Sequence, residues 1–95
     1  METKLIEALN EWIVATHLKT MLLADVHVWS SKQAAKMGTH SPGRWVTLVY
    51  EGAGHDCLNY NSGIQSMRDE VRAIAKACGF SMEDNNTWSC SFYPL

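Results

Sequence analysis

The sequence predicts one α+β domain over residues 1–95, a two-layer sandwich in which two helices pack on one face of a small sheet. Three observations favour this fold. Apolar residues recur at helical spacing near the amino terminus and again after residue 62. Segments of strand length, rich in β-branched and aromatic residues, lie between and after these stretches, and this mixing favours a mainly antiparallel sheet of three or four strands. A chain of 95 residues, 46% of them apolar, can bury one core.

The first predicted helix spans about residues 3–23. Its buried stripe recurs at three- and four-residue steps and consists of Leu5, Ile6, Leu9, Trp12 and Ile13. Beyond Thr16 the apolar positions shift to Leu18, Met21 and Leu22, so the helix either rotates its buried face or ends early. We favour one long helix.

Two short elements and a turn follow this helix. Residues 25–31 alternate and are rich in β-branched side chains, which predicts a strand. Residues 31–38 predict one or two helical turns, capped by Ser31 and ended by Gly38. Residues 39–43, THSPG, have the composition of a turn.

The clearest predicted strand is RWVTLVYEG, residues 44–52. It has apolar side chains on both faces, which predicts a central position in the sheet. EGAG, residues 51–54, predicts a tight hairpin turn, because glycine tolerates the positive φ that such turns require. HDCLNY, residues 55–60, is then expected to return as the partner strand.

The second predicted helix spans residues 62–78. Ser62 and Gln65 have the spacing of a capping box, and Gly79 follows the last apolar position as a helix-ending residue. The apolar stripe of this helix consists of Ile64, Met67, Val71, Ile74 and Cys78. A stripe of this length predicts that the helix packs on the sheet.

The last part of the chain predicts a loop and a strand. Residues 81–86, SMEDNN, are polar and are expected to form the loop. Residues 87–93, TWSCSFY, alternate between apolar and polar side chains, which predicts a half-buried strand. If this strand is an unprotected edge, it could pair with its copy, so a homodimer stays an alternative.

Charge and cysteine usage narrow the function classes. The net charge of −2, from 8 basic and 10 acidic residues, is too neutral for a protein that binds nucleic acid mainly by neutralising phosphates. The three cysteines include no Cys-x-x-Cys pair, and no apolar run is long enough to cross a bilayer. The first residues, METKLIEALNEW, lack the basic and apolar blocks of a secretory signal. We expect a cytoplasmic protein with reduced thiols, no membrane association and no cofactor.

Cys57 and His55 are the weak candidates for catalysis, in a small thiol enzyme. On a strand they would share a face, where an imidazole can act as the base for a thiol. Their Cβ atoms would however be roughly 6–7 Å apart, which is a loose dyad. We favour the alternative that Cys57 is a small core residue and His55 a turn residue, so no catalytic residue is expected. The spacing of the cysteines and histidines also predicts no metal site.

Arg68, Arg72 and Lys76 recur at four-residue steps and predict a basic ridge on the face of the second helix that is turned from the core. Such a ridge could contact phosphates of a nucleic acid or an acidic partner. We favour an ordinary solvated face, with Asp69 paired to Arg72, because the chain is negatively charged overall.

The four tryptophans are many for this length. Trp12 and Trp88 fit core positions. The aromatic residues that predict an exposed sheet face or edge are Trp29, Trp45, Tyr60 and Tyr93. Tryptophan and tyrosine anchor protein interfaces because they bury a large area at small entropic cost.

The leading hypothesis is therefore a non-enzymatic module that docks on a larger protein or complex through these aromatic residues. Small inhibitors encoded by phages and mobile elements, such as anti-CRISPR and anti-restriction proteins, often combine this size with an absence of catalytic motifs. By that analogy we expect an inhibitory role. A thiol enzyme and a weak nucleic-acid-binding protein are the alternatives.

Overall fold

The computed structural model describes residues 2–37, 45–60 and 65–95. In these ranges the chain forms four helices and one four-stranded antiparallel sheet, which confirms the α+β fold class. The strands lie in the order β1-β2-β4-β3. In chain order the elements are α1 (Glu2–Thr20), β1 (Val26–Trp29), α2 (Ser31–Met37), β2 (Val46–Tyr50), α3 (Ala53–Leu58), α4 (Ser66–Ala77), β3 (Phe80–Asn86) and β4 (Ser89–Pro94).

The hydrophobic core lies between one face of the sheet and the helices α1, α3 and α4. Leu5 and Leu9 of α1 and Val71 and Ala75 of α4 are almost completely buried there. The sheet contributes alternate residues of its strands, namely Val26, Val46, Leu48, Tyr50, Phe80, Cys90 and Phe92. All five residues of β2 are buried, as predicted for a central strand.

Helix α1 has the predicted core stripe but ends at Thr20, before the predicted end at residue 23. Among the described non-glycine residues only Met21 has a positive φ, of 60°, and this conformation interrupts the helix. The amide of Met21 still donates to the carbonyl of His17 at 2.7 Å, and the amide of Leu23 donates to His17 Nδ1 at 3.1 Å. His17 thus closes the carboxyl end of the helix, and the chain turns back so that Leu23 enters the core.

Helix α2 begins at the predicted residue but is capped by Ser30, not by Ser31. The Ser30 amide donates to Gln33 Oε1 at 3.0 Å, and the Gln33 amide donates to Ser30 Oγ at 3.1 Å. This reciprocal pair is a capping box. Ser31 instead donates to the Glu2 carboxylate from its amide and its hydroxyl, which ties the first residue of α2 to the start of α1.

The prediction of a loop at residues 81–86 is wrong, because these residues belong to the edge strand β3. The polar composition of residues 81–86 indicated a loop, but an edge strand can also be polar because it needs to bury only one face. Met82 packs on the core, and Asp84 is held by an ion pair described below. The register shifts between Asp84 and Asn86, where a β-bulge ends the regular pairing with β4.

Strand β4 is buried on both faces, whereas a half-buried strand was predicted. Ser89 and Ser91 lie on the face turned from the helices and are 0% and 2% exposed. Both hydroxyls are paired, since Ser89 Oγ donates to Asn86 Oδ1 at 3.1 Å and Asn85 Nδ2 donates to Ser91 Oγ at 2.7 Å. The small polar side chains of β4 thus fill a central position in the sheet.

The predicted hairpin partner at residues 55–60 is also wrong, because residues 53–58 form helix α3. Strand β2 pairs instead with β1 and β4. Gly52 does have the positive φ expected of a turn, 57°. Gly54 has a different role, since a Cβ atom there would overlap Val26 Cγ2. The glycines that resemble a hairpin turn in sequence therefore let a short helix pack closely against β1.

Helix α4 ends as predicted, with Gly79 at a φ of 86° directly before β3. It begins at Ser66, whereas the predicted start at Ser62 and the predicted turn at 39–43 lie outside the described residues. Among the helices that the structure describes, none combines the length and apolar character needed to cross a membrane.

The close approach of Gly54 to β1 gives the first prediction. Gly54→Ala is expected to lower the free energy of unfolding by about 1–3 kcal/mol, because the added methyl group must displace Val26 or move α3. Urea denaturation followed by circular dichroism measures this change. Asp56→Ala, on the exposed side of the same helix, is the control and should change the free energy of unfolding by at most about 0.5 kcal/mol. Equal stability of Gly54→Ala and wild type would contradict the packing argument.

Candidate functional site

Cys57 and His55 do not share a face, because they lie on helix α3 and not on a strand. Residues two apart on a helix point in nearly opposite directions. Cys57 is 4% exposed and belongs to the core, whereas the side chain of His55 is 40% exposed and lies 3.6 Å from the Asp56 carboxylate. Burial, followed by the charge of Asp56, raises the pKa of the Cys57 thiol. The geometry on which the dyad hypothesis depends is therefore wrong.

An open cleft lies where β2 meets α3, and we call it the β2–α3 cleft. Its volume is about 420 Å³. The residues that line it are Tyr50, Glu51, Gly52, His55 and Trp88. Trp88 was predicted in the core, but it lies in the turn between β3 and β4 and is 36% exposed. The cleft therefore combines an accessible indole, an imidazole and the exposed carboxylate of Glu51.

Three hydrogen bonds hold the backbone at the walls of the β2–α3 cleft. The amide of Tyr50 donates to the carbonyl of Trp88 at 3.0 Å, and the amide of Glu51 donates to the carbonyl of Asp25 at 3.2 Å. The amide of Trp88 also donates to Asn86 Oδ1 at 3.0 Å. The backbone that carries the carboxylate and the indole is thus held by the sheet before any ligand arrives.

Arg68 is not part of an exposed ridge, which corrects the sequence interpretation. Its side chain is only 4% exposed and forms a bidentate ion pair with Asp84, with both N–O distances at 2.9 Å. It also donates to the carbonyl of Leu58 at 2.8 Å. Arg72 and Lys76 are exposed, and Arg72 lies 3.4 Å from Asp69, the expected surface pair. The described face of α4 therefore offers two of the three predicted cations.

A cluster of polar groups surrounds the buried guanidinium. Burial raises the pKa of Cys90 to about 12, with a further contribution from the charge of Asp84. Burial also raises the pKa of Tyr50, and Cys90 and Asp84 act in the same direction. The hydroxyl of Tyr50 makes no hydrogen bond of standard geometry within the described chain. These groups remain neutral at physiological pH, and the cluster holds one ion pair in an otherwise uncharged interior.

The predicted aromatic surface is only partly accessible. Trp29, Trp45 and Tyr93 are half-buried, and the rings of Trp45 and Tyr93 pack on each other with centroids 5.0 Å apart. Tyr60 is 46% exposed and lies just after α3. The structure thus brings Trp45 and Tyr93 together on the face of the sheet that is turned from the helices.

Sequence reasoning did not identify the largest exposed apolar groups as a site. Val14, Leu18 and Met21 are 60%, 74% and 71% exposed, and Leu22 is 37% exposed. We call these four residues the α1 apolar surface. A shallow groove of about 440 Å³ runs beside them along Asn10, Glu11, Val14, Ala15 and Leu18. The shift of apolar positions beyond Thr16 is the sequence pattern that indicates this surface. The same pattern is also expected when the buried face of a long helix rotates.

Neither a metal site nor a family relationship adds to this description. Within residues 2–37, 45–60 and 65–95, no three His, Cys, Asp or Glu side chains come together in a way that could hold a metal ion. No protein-family model matches the chain, and comparison with curated proteins and with solved structures finds no significant match. The function must therefore be argued from the surfaces themselves.

The buried ion pair gives the second prediction. Arg68→Ala is expected to lower the free energy of unfolding by about 3–5 kcal/mol, because it leaves Asp84 and the Leu58 carbonyl without their partner. Arg72→Ala is the matched control, an arginine on the same helix in an exposed pair, and should cost at most about 0.5 kcal/mol. Urea denaturation measures both values. A similar loss in the two variants would show that the buried pair does not contribute specifically.

The buried thiol gives the third prediction. At pH 7 iodoacetamide is expected to label Cys57 of the folded protein at least about tenfold more slowly than a cysteine peptide, because the side chain is buried and its pKa is raised. Mass spectrometry of peptide digests resolves Cys57 from the other thiols, and labelling in concentrated guanidinium chloride is the control. Labelling of folded Cys57 as fast as the peptide would restore the thiol-enzyme hypothesis.

Proposed function

We propose that this protein is a non-enzymatic binding module that docks on a partner protein through the α1 apolar surface. The observation that carries the proposal is the exposure of Val14 and Leu18 on adjacent turns at the carboxyl end of α1, and of Met21 just after it. Together with Leu22 these residues expose roughly 400 Å², which is the size of the largest apolar patch on a typical monomer, and such a patch is often functional. A standard interface buries about 800 Å² on each partner, so this surface could form its apolar centre.

The shape of the surface favours an α-helix as its occupant. The groove follows the axis of α1 along one face, from Asn10 to Leu18. The side chains of a second helix can insert into such a groove when its apolar residues recur at three- and four-residue steps. Helix-in-groove docking is a common mode of peptide recognition and requires a row of apolar anchors of this kind.

The charges around the surface favour a basic partner over a second copy. Glu7 and Glu11 are exposed before the apolar residues and Asp25 after them, whereas Lys19 is exposed between Leu18 and Met21. A parallel pairing of two copies would place each of these charges beside its equivalent, and an antiparallel pairing would still leave a surplus of carboxylates at the interface. An amphipathic helix with Lys or Arg beside its apolar stripe can pack in the groove and pair with the carboxylates.

The other proposed surfaces fit this function less well. Trp29, Trp45 and Tyr93 are half-buried, so the aromatic face offers less accessible area than α1. Because Arg68 is buried, the predicted ridge retains two exposed cations, Arg72 and Lys76. Two cations form a short surface for contacts with nucleic-acid phosphates. An inhibitory role toward a larger complex, as in phage-type inhibitors, stays a prediction that rests on chain size and the absence of motifs.

A pair of designed helical peptides tests the proposal. One carries a leucine stripe flanked by lysines, and the other has glutamate in place of each lysine. Fluorescence anisotropy should show at least about tenfold tighter binding of the basic peptide, and Leu18→Asp should abolish that binding because it places a charge in the apolar centre. Ala35→Asp, exposed on α2, is the control. Equal binding by Leu18→Asp and wild type would contradict the proposal.

Sedimentation analysis separates a partner helix from a second copy. Wild-type protein at micromolar concentration is expected to sediment as a monomer. A dimer that Leu18→Asp dissociates would replace the proposed partner by self-association through the same surface. A photoreactive amino acid at position 18 should then cross-link the natural partner in the native host, with the same group at position 35 as the matched control.

A further inference from the structure

We propose that the β2–α3 cleft binds an organic cation, in the form of an alkylammonium or guanidinium group. This site is distinct from the α1 apolar surface and does not depend on the proposed function. Its lining includes Glu51, which was predicted in a hairpin turn, and Trp88, which was predicted in the core. Both are accessible in the structure.

Local charge favours a cation. Among the residues that the structure describes, the lining of the cleft contains Glu51 and no lysine or arginine. The carboxylate of Asp25 lies against the same wall, since a Cβ atom on Gly52 would be 2.7 Å from Asp25 Oδ2. Asp56 is exposed beside His55, at 3.6 Å from its Nδ1 atom. Glu51 in the lining, with Asp25 beside Gly52 and Asp56 beside His55, attracts positive charge to the cleft and repels anionic ligands.

The indole of Trp88 makes the cleft selective for an organic cation over an alkali metal ion. Tryptophan is the aromatic side chain that attracts ammonium and guanidinium groups most strongly, through the negative face of its ring. The carboxylate of Glu51, which belongs to the lining of the same cleft, can pair with the bound group. Because backbone hydrogen bonds from Tyr50 and to Asn86 hold Trp88, binding requires little ordering of the wall.

The size of the cleft limits the ligand. About 420 Å³ is at the small end of ligand sites, and the cleft is open to solvent. It suits a head group such as trimethylammonium, or the end of a lysine or arginine side chain. A free amine and a side chain of a peptide share this chemistry, so the experiment has one arm for each.

Titration followed by ¹⁵N–¹H correlation spectra of the assigned protein tests the inference. Choline is the free cation, and 3,3-dimethylbutan-1-ol is its neutral counterpart of nearly the same shape. N-Acetylargininamide and N-acetylnorleucinamide form the side-chain arm. We expect the indole signal of Trp88 and the amides of Gly52 and His55 to shift with saturation below about 50 mM cation. Each neutral compound should bind at least about fivefold more weakly.

Two variants locate the site. Glu51→Gln should weaken cation binding at least about fivefold, and Trp88→Leu should abolish the preference for the cation over its neutral counterpart. Glu83→Gln, an exposed carboxylate on β3, is the matched control and should leave the affinity unchanged. Spectra of each variant without ligand establish that it is folded.

The outcomes divide clearly. Tighter binding in only one arm supports the site and identifies the source of the cation. Equal affinity for charged and neutral compounds would overturn the inference, since the cleft would then bind through apolar contact alone. Unchanged affinity in Glu51→Gln, or no saturable shift at Trp88 with any cation, would overturn it as well. The variants at Glu51 and Trp88 leave the α1 apolar surface unchanged, so failure of this inference and failure of the proposed function are distinguishable.

Discussion

The side chain of Arg68 joins three elements, because it pairs with Asp84 and donates to the carbonyl of Leu58. The guanidinium projects from α4, pairs with the carboxylate on β3 and donates to the last residue of α3. A buried arginine is costly unless every donor direction finds an acceptor, so the positions of Asp84 and the Leu58 carbonyl are tightly constrained. This interaction explains why a polar segment forms an edge strand and why a helix of six residues is stably placed.

The position of α3 in turn creates the β2–α3 cleft. Its first turn packs on β1 through Gly54, and its last residue is held by Arg68. With both ends fixed, His55 faces the cleft and Cys57 faces the core. The same placement that buries the thiol leaves Glu51 and Trp88 accessible. The packing of one short helix therefore determines which of its polar residues a ligand can reach.

The elements that could be predicted from sequence are those whose pattern is local. The stripes of α1 and α4 and the apolar run of β2 follow the periods of helix and strand, and the structure has all three. Helix α3 and strand β3 could not be predicted, because their conformations depend on distant partners. Gly54 is needed for contact with Val26, and Asp84 for contact with Arg68. The β2–α3 cleft could not be predicted for the same reason. The exposure of Trp88 depends on where the bulged hairpin between β3 and β4 turns.

Asp25 connects the two surfaces for which functions are proposed. It follows Met21 and Leu22 in the chain, its carbonyl accepts the amide of Glu51, and its carboxylate lies against Gly52. A basic helix that leaves the α1 apolar surface toward this turn would meet carboxylates that also attract a cation to the cleft. Occupancy of one surface by positive charge should therefore weaken the electrostatic attraction at the other, and more so at low salt. The two sites are chemically distinct but share one source of negative potential.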